Sequence, residues 1–256
     1  APFPVNEETY KVFEIAQEIA AQSGGAFDVT VGPLVNAWGF GPDALKNPPD
    51  ETAITALLQR TGYGKITLHP GPAISKARPD VYCDLSAIAK GYAVDAVAEA
   101  FEQAGITRYM IEVGGEIRVA GKNPRGEAWT VGIETPKSGV RELHTAIRLE
   151  QGALATSGDY RNMYELDGRL ISHTIDPHTG YPVQHALASA SVIHPSCTWA
   201  DGYATALMSL GPEKALEFAR KQGLAVLLLV HDANSNTFKE FSTPGFEAYR
   251  VKPAGT

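Results

Sequence analysis

The chain has 256 residues, with 29 acidic against 22 basic side chains, a formal net charge of −7 and 44% hydrophobic residues. A chain of this length buries a sizeable core without disulfide or metal staples, its ordinary apolar fraction excludes disorder, and its acidic balance argues against a broad nucleic-acid surface, which needs a basic stripe. The longest unbroken apolar run, residues 224–230, is far short of the ~20 residues that span a bilayer.

Apolar spacing predicts a first helix over Glu7–Gln22, with Val12, Ile15, Ala16 and Ile19 on one face and Gly24-Gly25 as its stop. Pro33 opens a short second helix that Gly39 and Gly41 end, and residues 52–60 read as a third. Residues 81–84 read as a short strand running into a longer helix, which Gly105 terminates. Tyr109–Val113, Glu116–Ala120 and Trp129–Glu134 are β-rich runs separated by glycine turns, and together they read as an antiparallel meander. Residues 145–149 and 153–157 continue the strands. Asp167-Gly168 between Tyr164-Glu165-Leu166 and Arg169-Leu170-Ile171 is a two-residue hairpin signal, because a type I′ turn needs positive φ at both centres. Residues 187–193 form a strand, Cys197–Leu210 a helix capped by Ser196 or Thr198, and residues 212–222 another helix. A buried strand over 224–231 then turns through Asn234-Ser235-Asn236 into a last strand at 237–241. The pattern is α+β. Cys83 and Cys197 lack CxxC spacing and read as two buried thiols, or as one disulfide in an oxidising compartment.

Walker, dinucleotide-binding, zincin and nucleophile-elbow signatures are absent from the sequence. Four segments carry chemistry. Cys83-Asp84-Leu85-Ser86-Ala87-Ile88-Ala89-Lys90-Gly91 begins a helix, whose unpaired N–H groups suit phosphate, with Lys90 one turn in. Gly91 costs about 1 kcal/mol inside a helix, which a close approach would explain. His173-Thr174-Ile175-Asp176-Pro177-His178 pairs an imidazole, the usual general base, with a carboxylate. Alternatively His173, Asp176 and His178 bind a transition metal. Asp201 and Thr205, four apart on a helix, share a face and offer oxygen to a hard cation such as Mg²⁺. Gly24-Gly25-Ala26-Phe27-Asp28 permits close backbone approach, and Phe27 could stack on a planar ring. Each segment also has a purely structural explanation: a cap, a turn, a dipole-compensating acid, a core phenylalanine.

Read together, the segments resemble the ApbE family of FAD:protein FMN transferases. The stretches stand in one order: Gly25-Ala26-Phe27-Asp28, Val31-Gly32-Pro33-Leu34, Asp84 through Tyr92, Val113-Gly114-Gly115-Glu116, Ala155-Thr156-Ser157-Gly158-Asp159-Tyr160, Ser172-His173-Thr174-Ile175-Asp176-Pro177 and Ala200 through Leu207. The resemblance implies one tunnelling-fold-like α+β domain over residues 1–256, and Mg²⁺-dependent transfer of FMN from FAD to a Thr or Ser hydroxyl of a target flavoprotein, releasing AMP. It implies that Ala26, Phe27 and Asp28 border the flavin nucleotide. Asp84 and Lys90 hold FAD, and Gly114, Gly115, Ser157 and Ile175 line the site through backbone atoms. The Mg²⁺ ligands it implies are the Ala87 carbonyl, Asp201, Thr205 and the Ala204 carbonyl, where some relatives carry Asp. His173 is the base it implies for the acceptor hydroxyl. Partners are FAD and an acceptor flavoprotein subunit, with no nucleic acid and no transmembrane segment in this chain. The expected compartment is the periplasm, with a lipid anchor in a longer precursor. Relatives carry a further segment before the first helix, including a strand that touches FAD, and Ala1-Pro2-Phe3-Pro4-Val5 here leads almost directly into that helix. Competing readings are an FAD pyrophosphatase giving FMN and AMP, a non-catalytic FAD-binding protein, and a zinc hydrolase centred on His173, Asp176 and His178.

Overall fold

Asn6 ends an extended lead-in and accepts a hydrogen bond from the Thr9 amide at 2.9 Å, and that cap starts the first helix. Glu7 and Glu8 complement its positive end, while Val12, Phe13, Ala16, Ile19 and Ala20 are buried along one face. This computed structural model describes residues 1–41, 48–137, 139, 141–159, 163–166, 169–235 and 237–251. In chain order the elements are β1 (Phe3–Pro4), α1 (Glu7–Gln22), α2 (Gly32–Ala37), α3 (Glu51–Leu58), β2 (Ile66–His69), β3 (Ala73–Lys76), α4 (Ser86–Gln103), β4 (Tyr109–Val113), β5 (Glu116–Ala120), β6 (Trp129–Glu134) and β7 (Leu143–Leu149). They continue with β8 (Gln151–Gly158), β9 (Met163–Leu166), β10 (Arg169–Ser172), β11 (Leu187–His194), α5 (Cys197–Leu210), α6 (Pro212–Lys221), β12 (Ala225–His231), β13 (Phe238–Ser242) and α7 (Pro244–Glu247). The α+β class and its antiparallel sheets are as expected.

The chain divides into two compact units. The first comprises Ala1–Ile88 with Asn162–His185, and the second Ala89–Arg161 with Ala186–Thr256. In the first unit, β1, β3 and β2 form a small antiparallel sheet, and β9 pairs with β10. Leu34, Trp38, Ile54 and Ile175 are its buried cluster, so the 162–185 segment completes a core begun by α2 and α3. The Trp38 indole also donates to the Gly180 carbonyl at 2.8 Å.

The second unit is built on a six-stranded sheet in the order β13-β12-β11-β8-β5-β4. Seven of the eight residues of β11 are buried, as a central strand covered on both faces requires. Successive residues of β8 point to opposite faces. Ala153 joins Val94, Ala98, Tyr109, Ile111 and Cys197 under the helices, whereas Leu154 joins a cluster with β6, β7 and Phe246.

Two expectations are corrected. β6 does not extend a meander; β4 pairs with β5, but β5 turns its other edge to β8, and among the described residues β6 pairs only with β7. In the loop between β5 and β6 the Asn123 side-chain oxygen accepts from the Arg125 and Glu127 amides, a local turn in place of a direct hairpin. Residues 81–84 are not a strand: Lys76 Nζ takes the Val81 carbonyl at 2.8 Å, the Asp84 amide goes to the Val29 carbonyl at 2.7 Å, and no ladder forms. The β1–β3–β2 sheet and α7 were not anticipated. The strands flanking Asp167-Gly168 pair in the register a two-residue loop demands, Leu166 opposite Arg169. Asp167 and Gly168 themselves, like Tyr160 and Asn236, lie outside the described residues. Cys83 is half-buried and Cys197 buried, and both are free thiols.

Candidate functional site

In the second unit the site is made by two helices pinned together at one end. Ser196 caps α5 as expected. Asp95 of α4 reinforces that cap from outside, accepting from Ser196 Oγ at 2.6 Å, the Cys197 amide at 3.0 Å, the Thr198 amide at 2.9 Å and Thr198 Oγ1 at 2.7 Å. Arg118 adds an ion pair to the same carboxylate at 2.8 Å. Burial pulls Asp95 up, but these donors outweigh it, and its pKa lies below the usual carboxylate value. The close approach continues one turn away. A Cβ on Gly91 would stand 2.4 Å from the Cys197 carbonyl oxygen and 2.8 Å from Asp201 Cβ, which explains a glycine inside α4.

That approach lets the Gly91 amide donate to Asp201 Oδ2 at 2.9 Å, while Lys90 Nζ stands 3.5 Å from Asp201 Oδ1. Lys90 also bonds Glu116 Oε1 at 2.5 Å. Asp201 is 2% exposed and Glu116 2%, whereas the Lys90 side chain is 45% exposed. Burial pushes Asp201 up to about 6 against the pull of Lys90, with the Glu116 charge adding to the rise. Burial pulls the Lys90 ammonium down, but Asp201 and Glu116 outweigh it and the net direction is up. One turn further along α5, Thr205 Oγ1 lies 3.4 Å from Ser157 Oγ, and Ala204 is fully buried beside it. Gly114 and Gly115 form the exposed β4–β5 turn at φ 64° and 104°. A Cβ at Gly114 would come within 3.1 Å of Lys90 Cδ. Lys90, Gly114 and Asp201 are thus brought together, Ser157 and Thr205 meet each other, and Glu116 joins the group as a residue singled out only as part of a motif.

These residues suit a hard cation. Among the described residues no three His, Cys, Asp or Glu side chains gather as a transition-metal site would require. Mg²⁺ is commonly held by one or two carboxylates, with water and substrate phosphate completing the shell. Asp201 with the Thr205 hydroxyl, beside a buried Glu116 oxygen that accepts no hydrogen bond from a described residue, is that kind of donor set.

In the first unit Ala26, Phe27 and Asp28 follow the Gly24-Gly25 turn. Phe27 is 1% exposed, so its ring is a core side chain, and the stacking role considered for it is corrected. Asp28 Oδ1 accepts from the Thr30 amide at 2.8 Å and Thr30 Oγ1 at 2.6 Å, and Oδ2 from the Tyr63 amide at 2.7 Å. Burial raises its pKa against those donors. Asp84 caps the start of α4 by accepting from the Ser86 amide at 2.9 Å, and Ala87 stands in that helix's first turn. Ile175 contributes its side chain to the core and pairs its backbone with Pro182. His173 directly follows β10, and Phe40 meets its ring edge-on at 6.2 Å between centroids. Asp176 turns Oδ1 to the amide and ring of His178, whose Nε2 meets the Gly24 carbonyl at 2.9 Å. Both ring nitrogens of His178 are thus engaged, against the zinc reading.

Asp95 and Glu116 are the functional neighbours that sequence reasoning passed over. The signal for Glu116 was its place after Gly114-Gly115; Asp95 had none, since its partners are about a hundred positions away.

The chain is 45% identical over 248 residues to a protein of Haemophilus influenzae named FAD:protein FMN transferase, covering 94% of this chain and 71% of that one. A protein of the same name from Klebsiella pneumoniae is 43% identical over 256 residues, covering 98% of this chain and 72% of the relative. Among solved structures, the flavin transferase ApbE from Vibrio cholerae superimposes with a TM-score of 0.87 at 40% identity, over 97% of this chain and 79% of that one. With residues 1–228 also matching the family's own sequence pattern, the chain belongs to the ApbE family.

Proposed function

We propose that this protein is an FAD:protein FMN transferase that moves FMN from FAD onto a Thr or Ser hydroxyl of a flavoprotein, with Mg²⁺, and releases AMP. The observation that carries the reading is the buried Asp201 held between the Gly91 amide and Lys90, in a chain whose relatives bear that enzyme name. Asp201 and Thr205, with the Ala87 and Ala204 carbonyls, hold the cation. When bound, Mg²⁺ offsets the charge that develops on the pyrophosphate oxygens. Lys90 contributes a further positive charge to the same phosphates. Ala26, Phe27 and Asp28 border the flavin nucleotide through their loop, Asp84 orders the α4 start, and Gly114, Gly115, Ser157 and Ile175 line the site with backbone.

His173 takes the acceptor hydroxyl's proton as the new oxygen–phosphorus bond forms on FMN and the pyrophosphate bond to AMP breaks. An unaided alcohol is a weak nucleophile at neutral pH, and a placed base is worth about 10²–10⁴-fold. We place the reaction in the periplasm on the family resemblance, to be checked by cell fractionation. Incubation with FAD, Mg²⁺ and a carrier protein bearing an acceptor Thr tests the chemistry. Carrier that stays fluorescent after denaturation supports transfer. Free FMN beside unlabelled carrier means water is the acceptor and the protein is a pyrophosphatase.

A further inference from the structure

Glu116 opens β5 directly after the Gly114-Gly115 turn, and its side chain folds inward, 2% exposed. Oε1 is paired with Lys90 Nζ at 2.5 Å; Oε2 accepts no hydrogen bond from any described residue. A buried carboxylate oxygen without a donor is costly, and native proteins rarely keep one unless a ligand completes it. Space for such a ligand is kept open by Gly114, where a Cβ would stand 3.4 Å from this oxygen and 3.1 Å from Lys90 Cδ.

The charges can be counted. Lys90 stands between two buried carboxylates, Glu116 at 2.5 Å and Asp201 at 3.5 Å, so the group carries one net negative charge. A pyrophosphate dianion meets repulsion there. A divalent cation turns the balance to plus one, and the same dianion is then attracted. With a neutral residue at 116 the group would be neutral before the cation and would not refuse the dianion.

We infer that Glu116 is a positioning residue that sets this balance: it holds Lys90 between the carboxylates and makes FAD binding wait for the divalent cation. This deepens the transferase reading above and rests on it. The distinctive consequence is that neutralising Glu116 moves two affinities in opposite directions, which loss of structure cannot do.

The test uses the whole chain, stripped of metal, as wild type, Glu116→Gln and Glu116→Asp. Mn²⁺ binding is measured without FAD by electron paramagnetic resonance, and FAD binding with EDTA present by flavin fluorescence. The Gln variant is expected to bind Mn²⁺ on the order of tenfold more weakly and metal-free FAD several-fold more tightly, as removal of one buried charge implies. The Asp variant, which keeps the charge on a shorter stem, is expected to keep the wild-type order of both. A Gln variant weakened for both ligands, or changed for neither, overturns the inference, as does an Asp variant that behaves like Gln. A wild type that binds neither Mn²⁺ nor FAD overturns the transferase reading, and the inference falls with it; a wild type that binds both isolates any failure to Glu116.

Discussion

The Gly91 amide donates to Asp201 Oδ2 at 2.9 Å, a bond between two helices that only the missing side chain of residue 91 allows. Alanine ordinarily favours a helix over glycine by about 1 kcal/mol. Here its methyl would meet the Cys197 carbonyl, a backbone atom pinned by the α5 cap, at 2.4 Å. Overpacking of this kind costs about 1–3 kcal/mol. Gly91→Ala is expected to lower the urea midpoint and to lose cation affinity beyond what the stability loss explains. A variant more stable than wild type would show that the helices part freely.

Asp95 should make the protein acid-sensitive. Burial raises its folded pKa, but donors from Ser196, Thr198 and Cys197 outweigh that and hold it below the usual carboxylate value. An acid with a depressed folded pKa stabilises above its unfolded pKa and loses that contribution as pH falls through the folded value. Asp95→Ala is expected to cost about 3–5 kcal/mol at pH 7, because it strips the α5 start and leaves Arg118 partly uncompensated. The gap between wild type and variant should shrink as pH drops below about 4, read from urea denaturation at several pH values. An equal gap at pH 7 and pH 3 would assign the role of Asp95 to packing.

Asp28 organises its loop, so its replacement should be felt first as instability. Both carboxylate oxygens are engaged, and Thr30 Oγ1 relays the network to the Gly62 amide at 2.6 Å. Asp28→Ala is expected to cost about 1.5–3 kcal/mol, the value of hydrogen bonds to a buried charged group. Thr30→Val should lose part of the same energy, and the double variant less than the sum. Additive losses in thermal denaturation would mean the two side chains act separately.

His173→Ala should separate chemistry from binding. Carrier flavinylation is expected to fall by about 10²–10⁴-fold. FAD affinity, measured by fluorescence, should change little. Unchanged flavinylation would remove His173 from the reaction.

What was legible in the sequence follows from how local each signal is. α1 and α5 were read with their observed limits because apolar residues recur at helical spacing in α1, Gly24-Gly25 stops it, and Ser196 offers a cap to α5; the Asn6 cap of α1 is seen only in the structure. β4, β5 and β6 were equally clear as strands. Their partners were not: alternation shows that a run is extended, but pairing depends on residues distant in sequence, and β5 chose β8 over β6. The same limit governed the site. Asp201, Thr205, Lys90 and Gly91 sit in short motifs and could be found one by one. Asp95 matters only through the far α5 cap, and Glu116 only through its inward turn toward Lys90. For Phe27 the burial of the ring, and for Asp28 the amides of Thr30 and Tyr63, come from the folded loop and have no signature in the five-residue motif.

The first unit's interrupted course through the chain has a consequence during synthesis. Trp38 waits for the Gly180 carbonyl 142 positions later. At about 5–20 residues per second, that interval lasts roughly 7–28 s on the ribosome. Through most of that time Leu34, Trp38 and Ile54 have been made while Ile175, the residue that packs with them, has not. The amino-terminal part is therefore made with an open apolar face that only the later 162–185 segment closes.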